Sequence, residues 1–274
     1  MSNPALFTER DAAGAYEILA AASEAPSVLA VLTDEELVAL GGADAVQISG
    51  SPFLDQLETA GEVSASIALR SLIARGLVTL DETPAEPEGE QLSTGESAPA
   101  RAVQLDRTLA GLMTLRGAPR ALMNLTRRVA EQSTAITVYV FPEGGVLEEL
   151  VTADGYHHFS VPTRAALPER LARYIDQAQV AGSEDRVVFE GPTATLEAPG
   201  EAIAQQLADT RAMTVMTAAG AEGAGAQVSL MATSEAVLAM DTPEAMSEST
   251  EVREVSAEGL VALIAAAIPE AAGL

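Results

Sequence analysis

The sequence predicts an α+β protein: an N-terminal helical, winged-helix-like region followed by an antiparallel sheet with two quasi-repeated β-β-β-α units. Three observations predict it. Residues 8–75 run as capped apolar segments ended by glycines, which is the punctuation of helices. Residues 135–161 and 213–255 instead hold short β-branched runs between turn residues, which is the punctuation of strands. Each strand group then ends in a segment with apolar residues at helical spacing: Leu167, Leu171, Tyr174 and Ile175 in one, Leu260, Ile264 and Ile268 in the other.

Taken in order, TERDAAGAYEILAAAS (8–23) opens on Thr8 as a cap and carries Tyr16, Ile18 and Leu19. LTDEELVAL (32–40) has Thr33 with Glu36 three residues on, a capping box, and Gly41-Gly42 stops it. SPFLDQLE (51–58) puts Pro52 at a first helical position, with Phe53, Leu54 and Leu57 on one side. The longest helix is expected over Ser64 to Arg75, burying Ile67, Leu69, Leu72 and Ile73, with Gly76 ending it. LVTL (77–80) and RAVQL (101–105) read as two strands of a hairpin. Between them, residues 81–100 hold six acids, no base and three prolines. Such a segment buries too little apolar surface to offset its ordering entropy, so a mobile loop is expected.

In the first unit AITVYVF (135–141), VLEELVT (146–152) and YHHFSV (156–161) are strands, with Asp154-Gly155 as a tight turn and Thr163 capping the helix. In the second, MTVMTA (213–218), QVSLMA (227–232) and TEVREV (250–255) are strands, and Ser256 caps the helix. Residues 186–198 read as a hairpin and 199–209 as a helix between the units. The expected division is 1–105 for the helical region with its acidic loop, 106–180 for the first unit and 181–274 for the second.

Charge bounds the function. Forty acids face 15 bases, for a net charge of −25, and every base is arginine. Together with the heavy use of alanine, this fits a GC-rich coding background of the actinobacterial kind. A field this negative opposes a phosphate backbone. The one basic stretch runs from Arg101 to Ala130, with six arginines, and is expected to pair with the acidic remainder. There is no cysteine, which removes thiol nucleophiles and thiolate metal sites. The two histidines, His157 and His158, are adjacent on a strand and point to opposite faces, so they cannot chelate together. GAEGAGA (220–226) lacks the ending of a phosphate loop, and Glu148-Glu149 read as solvated charge. No catalytic, cofactor or metal residue is therefore expected. No basic-then-apolar leader and no long apolar run are legible, so a cytoplasmic location is the expectation.

Helix, Gly76, strand, loop, strand is the outline of a winged helix. If that region bound DNA, Arg70, Arg75 and Arg101 would contact it, but base readout normally takes more polar side chains than these. Met240 and Met246 fall in an acidic insert and could form an adaptable protein-contact surface.

RGLVTL, then LDRTLAGLMTLRGAPRALMNL, then paired meanders each ending in a helix, resemble the EspG family of type VII (ESX) secretion-associated proteins over roughly 60–270. The resemblance implies an α+β fold of two quasi-repeated halves and a cytosolic, non-enzymatic chaperone whose partners are proteins, such as small helical secreted substrates. It transfers no site residue. The alternative from the residues is a winged-helix transcriptional regulator with a ligand-sensing C-terminal domain.

Overall fold

The computed structural model describes residues 8–56, 62–80, 103–220, 223–241 and 249–271. The acidic segment 81–100, Arg101 and Met246 lie outside the described residues. The chain begins with α1 (Glu9–Ala20), β1 (Ala30–Thr33) and α2 (Asp34–Gly41). Thr8 and Thr33 start the two helices in the same way. Each hydroxyl accepts from the amide three residues on, and the acid there, Asp11 or Glu36, accepts from the threonine amide. The helix expected over 51–58 is only a 3-10 turn at Leu54–Gln56 among the described residues. Its leading amides, those of Phe53 and Leu54, donate to Asp34 of α2, which ties the turn to that helix.

Next comes α3 (Glu62–Ala74), which buries Ala68 and Leu72. Ile67, expected in the core, is instead 64% exposed. Ala68 and Leu72 stand one turn apart on the inward stripe, and Ile67 falls about 100° off it. Gly76 (φ +72°) ends the helix, and the amides of Gly76 and Leu77 return to the carbonyls of Ile73 and Leu72. The hairpin then forms as expected, with β2 (Val78–Leu80) antiparallel to β3 (Val103–Leu105).

Asp106 caps α4 (Arg107–Gly117), which crosses α1 with backbones nearly touching. A Cβ on Gly14 would lie 2.5 Å from the Arg107 carbonyl oxygen, so only glycine fits that crossing.

Then follow β4 (Ala121–Val129), β5 (Gln132–Val140), β6 (Val146–Val151), β7 (Tyr156–Ser160) and α5 (Leu167–Ile175). After β8 (Arg186–Pro192) and α6 (Ala202–Ala208), the pattern returns as β9 (Ala212–Gly220), β10 (Gly223–Ala232), β11 (Val237–Asp241), β12 (Ser249–Val255) and α7 (Ala257–Ala267). Among the described residues, ten strands make one antiparallel sheet in the order β1-β7-β6-β5-β4-β9-β10-β11-β12-β8. The order reads alike from either end: β4 meets β9 at the centre, and each unit runs outward to an added edge strand.

Each unit thus has four strands, not the expected three. The unforeseen β4 lies in the arginine-rich stretch, where Ala121, Met123 and Leu125 enter one core while Leu122, between them, packs against the core on the other face. The unforeseen β11 is the start of the presumed acidic insert; it pairs with β10 and β12, and Leu238 and Ala239 are fully buried. The hairpin expected over 186–198 is a single edge strand, β8, followed by a 3-10 turn. Thr163 caps only through its backbone, and its hydroxyl has no partner among the described residues.

One face of the sheet is covered by α5 and α7, whose Leu167, Leu171, Ile175, Leu260, Ile264 and Ile268 share a single core. On the opposite face, the first unit packs under α1–α4 through Tyr139, Phe141, Leu147 and Phe159. The second unit there has a smaller core of Ile203, Met231, Leu238 and Val252.

Candidate functional site

The first unit buries a group of charged side chains beneath its helical layer. Strand alternation places Tyr139 (β5), Glu149 (β6) and His157 (β7) on the face that meets α2 and α4. His157 Nδ1 lies 2.6 Å from Glu149 Oε1, and Nε2 lies 2.7 Å from Asp34 Oδ1. Both ring nitrogens face carboxylate oxygens, so serving both requires two N–H groups and hence the imidazolium. From α4, Arg116 reaches Glu149 in bidentate fashion, its Nε and Nη2 each 2.9 Å from a carboxylate oxygen. The Tyr139 hydroxyl donates to Glu149 as well. Two carboxylates balance one guanidinium and one imidazolium, so the group is neutral as a whole.

Burial opposes the charge on Arg116, Glu149 and His157 and is outweighed at each. It would raise the Glu149 carboxyl, but Arg116 and the His157 hydrogen bond hold it down at about 2. Burial would lower the His157 imidazole, but the hydrogen bonds to Asp34 and Glu149 leave it above its ordinary value. Burial and the Glu149 charge together push the Tyr139 phenol well up. Asp34, Glu149 and His157 side chains have no solvent exposure. The acid–base composition would suit proton transfer, yet no substrate can touch it.

The sequence reading of Glu148-Glu149 as solvated charge is thus overturned, because both are buried. They face opposite sides of β6, and each meets an arginine: Glu149 meets Arg116 of α4, and Glu148 meets Arg170 of α5 at 2.5 Å. Arg116, at the end of the otherwise apolar run LAGLMTLRG, was the available signal, since an arginine drawn into a core demands a buried acid.

The network has a surface consequence. Arg116 Nη1 donates to the Ala45 carbonyl at 2.7 Å and Nη2 to Ser49 Oγ at 2.9 Å. Asp34 accepts from the Phe53 and Leu54 amides at 2.9 and 3.1 Å. Four positions between 45 and 54 are therefore pinned from below. That segment, with α2 and the start of α3, walls an open groove of about 610 Å³. Val38, Val46, Leu54 and Ala65 give it an apolar lining, and its charged lining residues among those described are Glu35 and Asp55.

The residues singled out in the sequence do not converge. Met240 lies on β11 and packs against the core of the second unit rather than in an insert. Arg75 is committed, with Nη1 2.8 Å from both Glu36 carboxylate oxygens and Nη2 3.0 Å from the Val31 carbonyl. Arg70 is exposed on α3. The basic stretch disperses too, since Arg107 pairs with Glu17 and Arg116 is in the core.

No protein-family model and no curated protein matches the chain. Among solved structures, it is similar to a chain of the complex of the Mycobacterium tuberculosis type VII secretion system chaperone EspG5 with a PE25–PPE41 dimer. The identity is 11%, the TM-score 0.49, and the match covers 89% of this chain and 98% of that one. A likeness at this level carries nothing about activity or partner.

Proposed function

We propose that this chain is a non-enzymatic, cytosolic protein-interaction protein of the secretion-chaperone kind. The observation that carries the reading is the groove between α2 and α3. It is an apolar surface held open by a buried network, whereas the residues with acid–base character are closed off beneath it. A preformed apolar concavity on an otherwise strongly acidic chain suits capture of another protein. The resemblance of RGLVTL and LDRTLAGLMTLRGAPRALMNL to the EspG family supplies the finer reading, a chaperone for small helical secreted proteins.

Co-expression with synthetic and natural small helical type VII substrates tests this. The expected result is a stoichiometric complex that survives size-exclusion chromatography. Failure of every such pair, together with saturable binding of DNA fragments that weakens in Arg70→Ala, would replace the reading with the regulator.

A further inference from the structure

We infer that the α2–α3 groove takes an amphipathic helix whose apolar stripe is flanked by basic residues. The inference rests on the protein-interaction reading and names the partner chemistry of its site.

The occupant's apolar face follows from the lining. Val38, Val46, Leu54 and Ala65 offer side-chain contact in a space of about 610 Å³, enough for several aliphatic side chains. Its secondary structure follows from the walls. Most of the lining comes from the segment 42–55, with α2 and the first turn of α3 supplying the rest, and none of the described lining residues lies on a strand, so the groove presents no strand edge to extend. An incoming chain must therefore satisfy its own backbone, which a helix does while presenting one apolar face to the groove.

Its charge follows from the rim. Glu35 stands in the first turn of α2 and Asp55 on the turn at the groove's far wall, and no basic residue lines the groove among the described residues. Asp44 adds a third carboxylate on an exposed residue beside Ala43. The whole chain carries −25, so a partner with acidic flanks would be repelled at long range as well as at the rim.

The test is fluorescence anisotropy with the full chain and three labelled synthetic peptides. One is a helix with leucine at i, i+3, i+4 and i+7 and lysine flanks; the second replaces those lysines by glutamate; the third scrambles the first. The lysine-flanked helix should bind at least about tenfold tighter than the others, with affinity falling as salt rises. Ala65→Arg, which fills the groove and leaves the acids in place, should abolish binding with an unchanged melting temperature. The pair Glu35→Lys and Asp55→Lys should reverse the preference toward the glutamate-flanked helix. Equal binding of the scrambled peptide, or full binding by a folded Ala65→Arg chain, overturns the inference. A natural protein partner that still binds Ala65→Arg also overturns it while leaving the interaction reading intact.

Discussion

The two units share one sheet and one strand pattern, yet they fasten their outer layer by opposite means. In the first unit, Thr137 on β5 stands beside Glu149 on β6, and Glu149 is a buried, fully bonded carboxylate. In the second, Ser229 on β10 stands beside Met240 on β11, and the methionine packs against Ile203, Leu238 and their neighbours. The same place in the pattern thus holds a charge in one unit and a thioether in the other. The difference teaches what each layer needs. Under α1–α4 the chain must fix an irregular segment, 42–56, and directional bonds from Arg116 and Asp34 do so. Over the second unit only the short α6 and a 3-10 turn must be held, and non-directional apolar burial suffices.

The contrast breaks most visibly at Glu149. Glu149→Gln leaves Arg116 and His157 buried without their shared counter-charge and should cost about 3–5 kcal/mol in chemical denaturation. Leu238→Ala, in the core of the second unit, should cost about 2–5 kcal/mol, and that cost should stay flat across pH. An equally flat profile for Glu149→Gln and the wild type would erase the distinction.

The pH dependence sharpens the contrast further. His157 is raised above 6.5 in the fold, so its contribution is complete below that value and fades as pH climbs through the folded value. Glu149 is lowered from 4.5 to about 2, so its contribution is complete above 4.5 and fades as pH falls toward 2. Stability from this network should therefore peak between 4.5 and 6.5, and denaturant midpoints over a pH series will show it. The smallest effect is expected at Arg70. Its side chain is on the exposed side of α3, so Arg70→Ala should move stability by less than about 0.5 kcal/mol.

Much of the fold was legible because its signals are local. Thr33 with Glu36, Gly76, Asp154-Gly155 and the spaced leucines before Ile175 and Ile268 each act over a few residues. What escaped depends on distant partners. Arg127 and Arg128 made β4 look like a basic surface, although its alternate residues feed the core between β5 and β9. The stretch 237–241 looked like the start of a loop because it is short and ends in Asp241, and only pairing on both sides reveals a strand. The network was the least legible feature. Asp34, Arg116 and the hairpin that carries Glu149 and His157 lie far apart in the chain, and the Glu148-Glu149 pair reads as solvent-facing until each side of β6 is seen to meet an arginine.

The central claim is that an imidazolium, bonded at both nitrogens, fastens the segment that walls the groove. Nitrogen-15 NMR of the imidazole rings tests it directly, because the chain has only His157 and His158 to assign. At neutral pH the His157 ring should show two protonated nitrogens with slowly exchanging N–H signals, lost together with native signals of Ala45, Ser49 and Leu54 as pH rises. A single neutral tautomer at neutral pH, or deprotonation that leaves residues 45–54 undisturbed, would contradict the account.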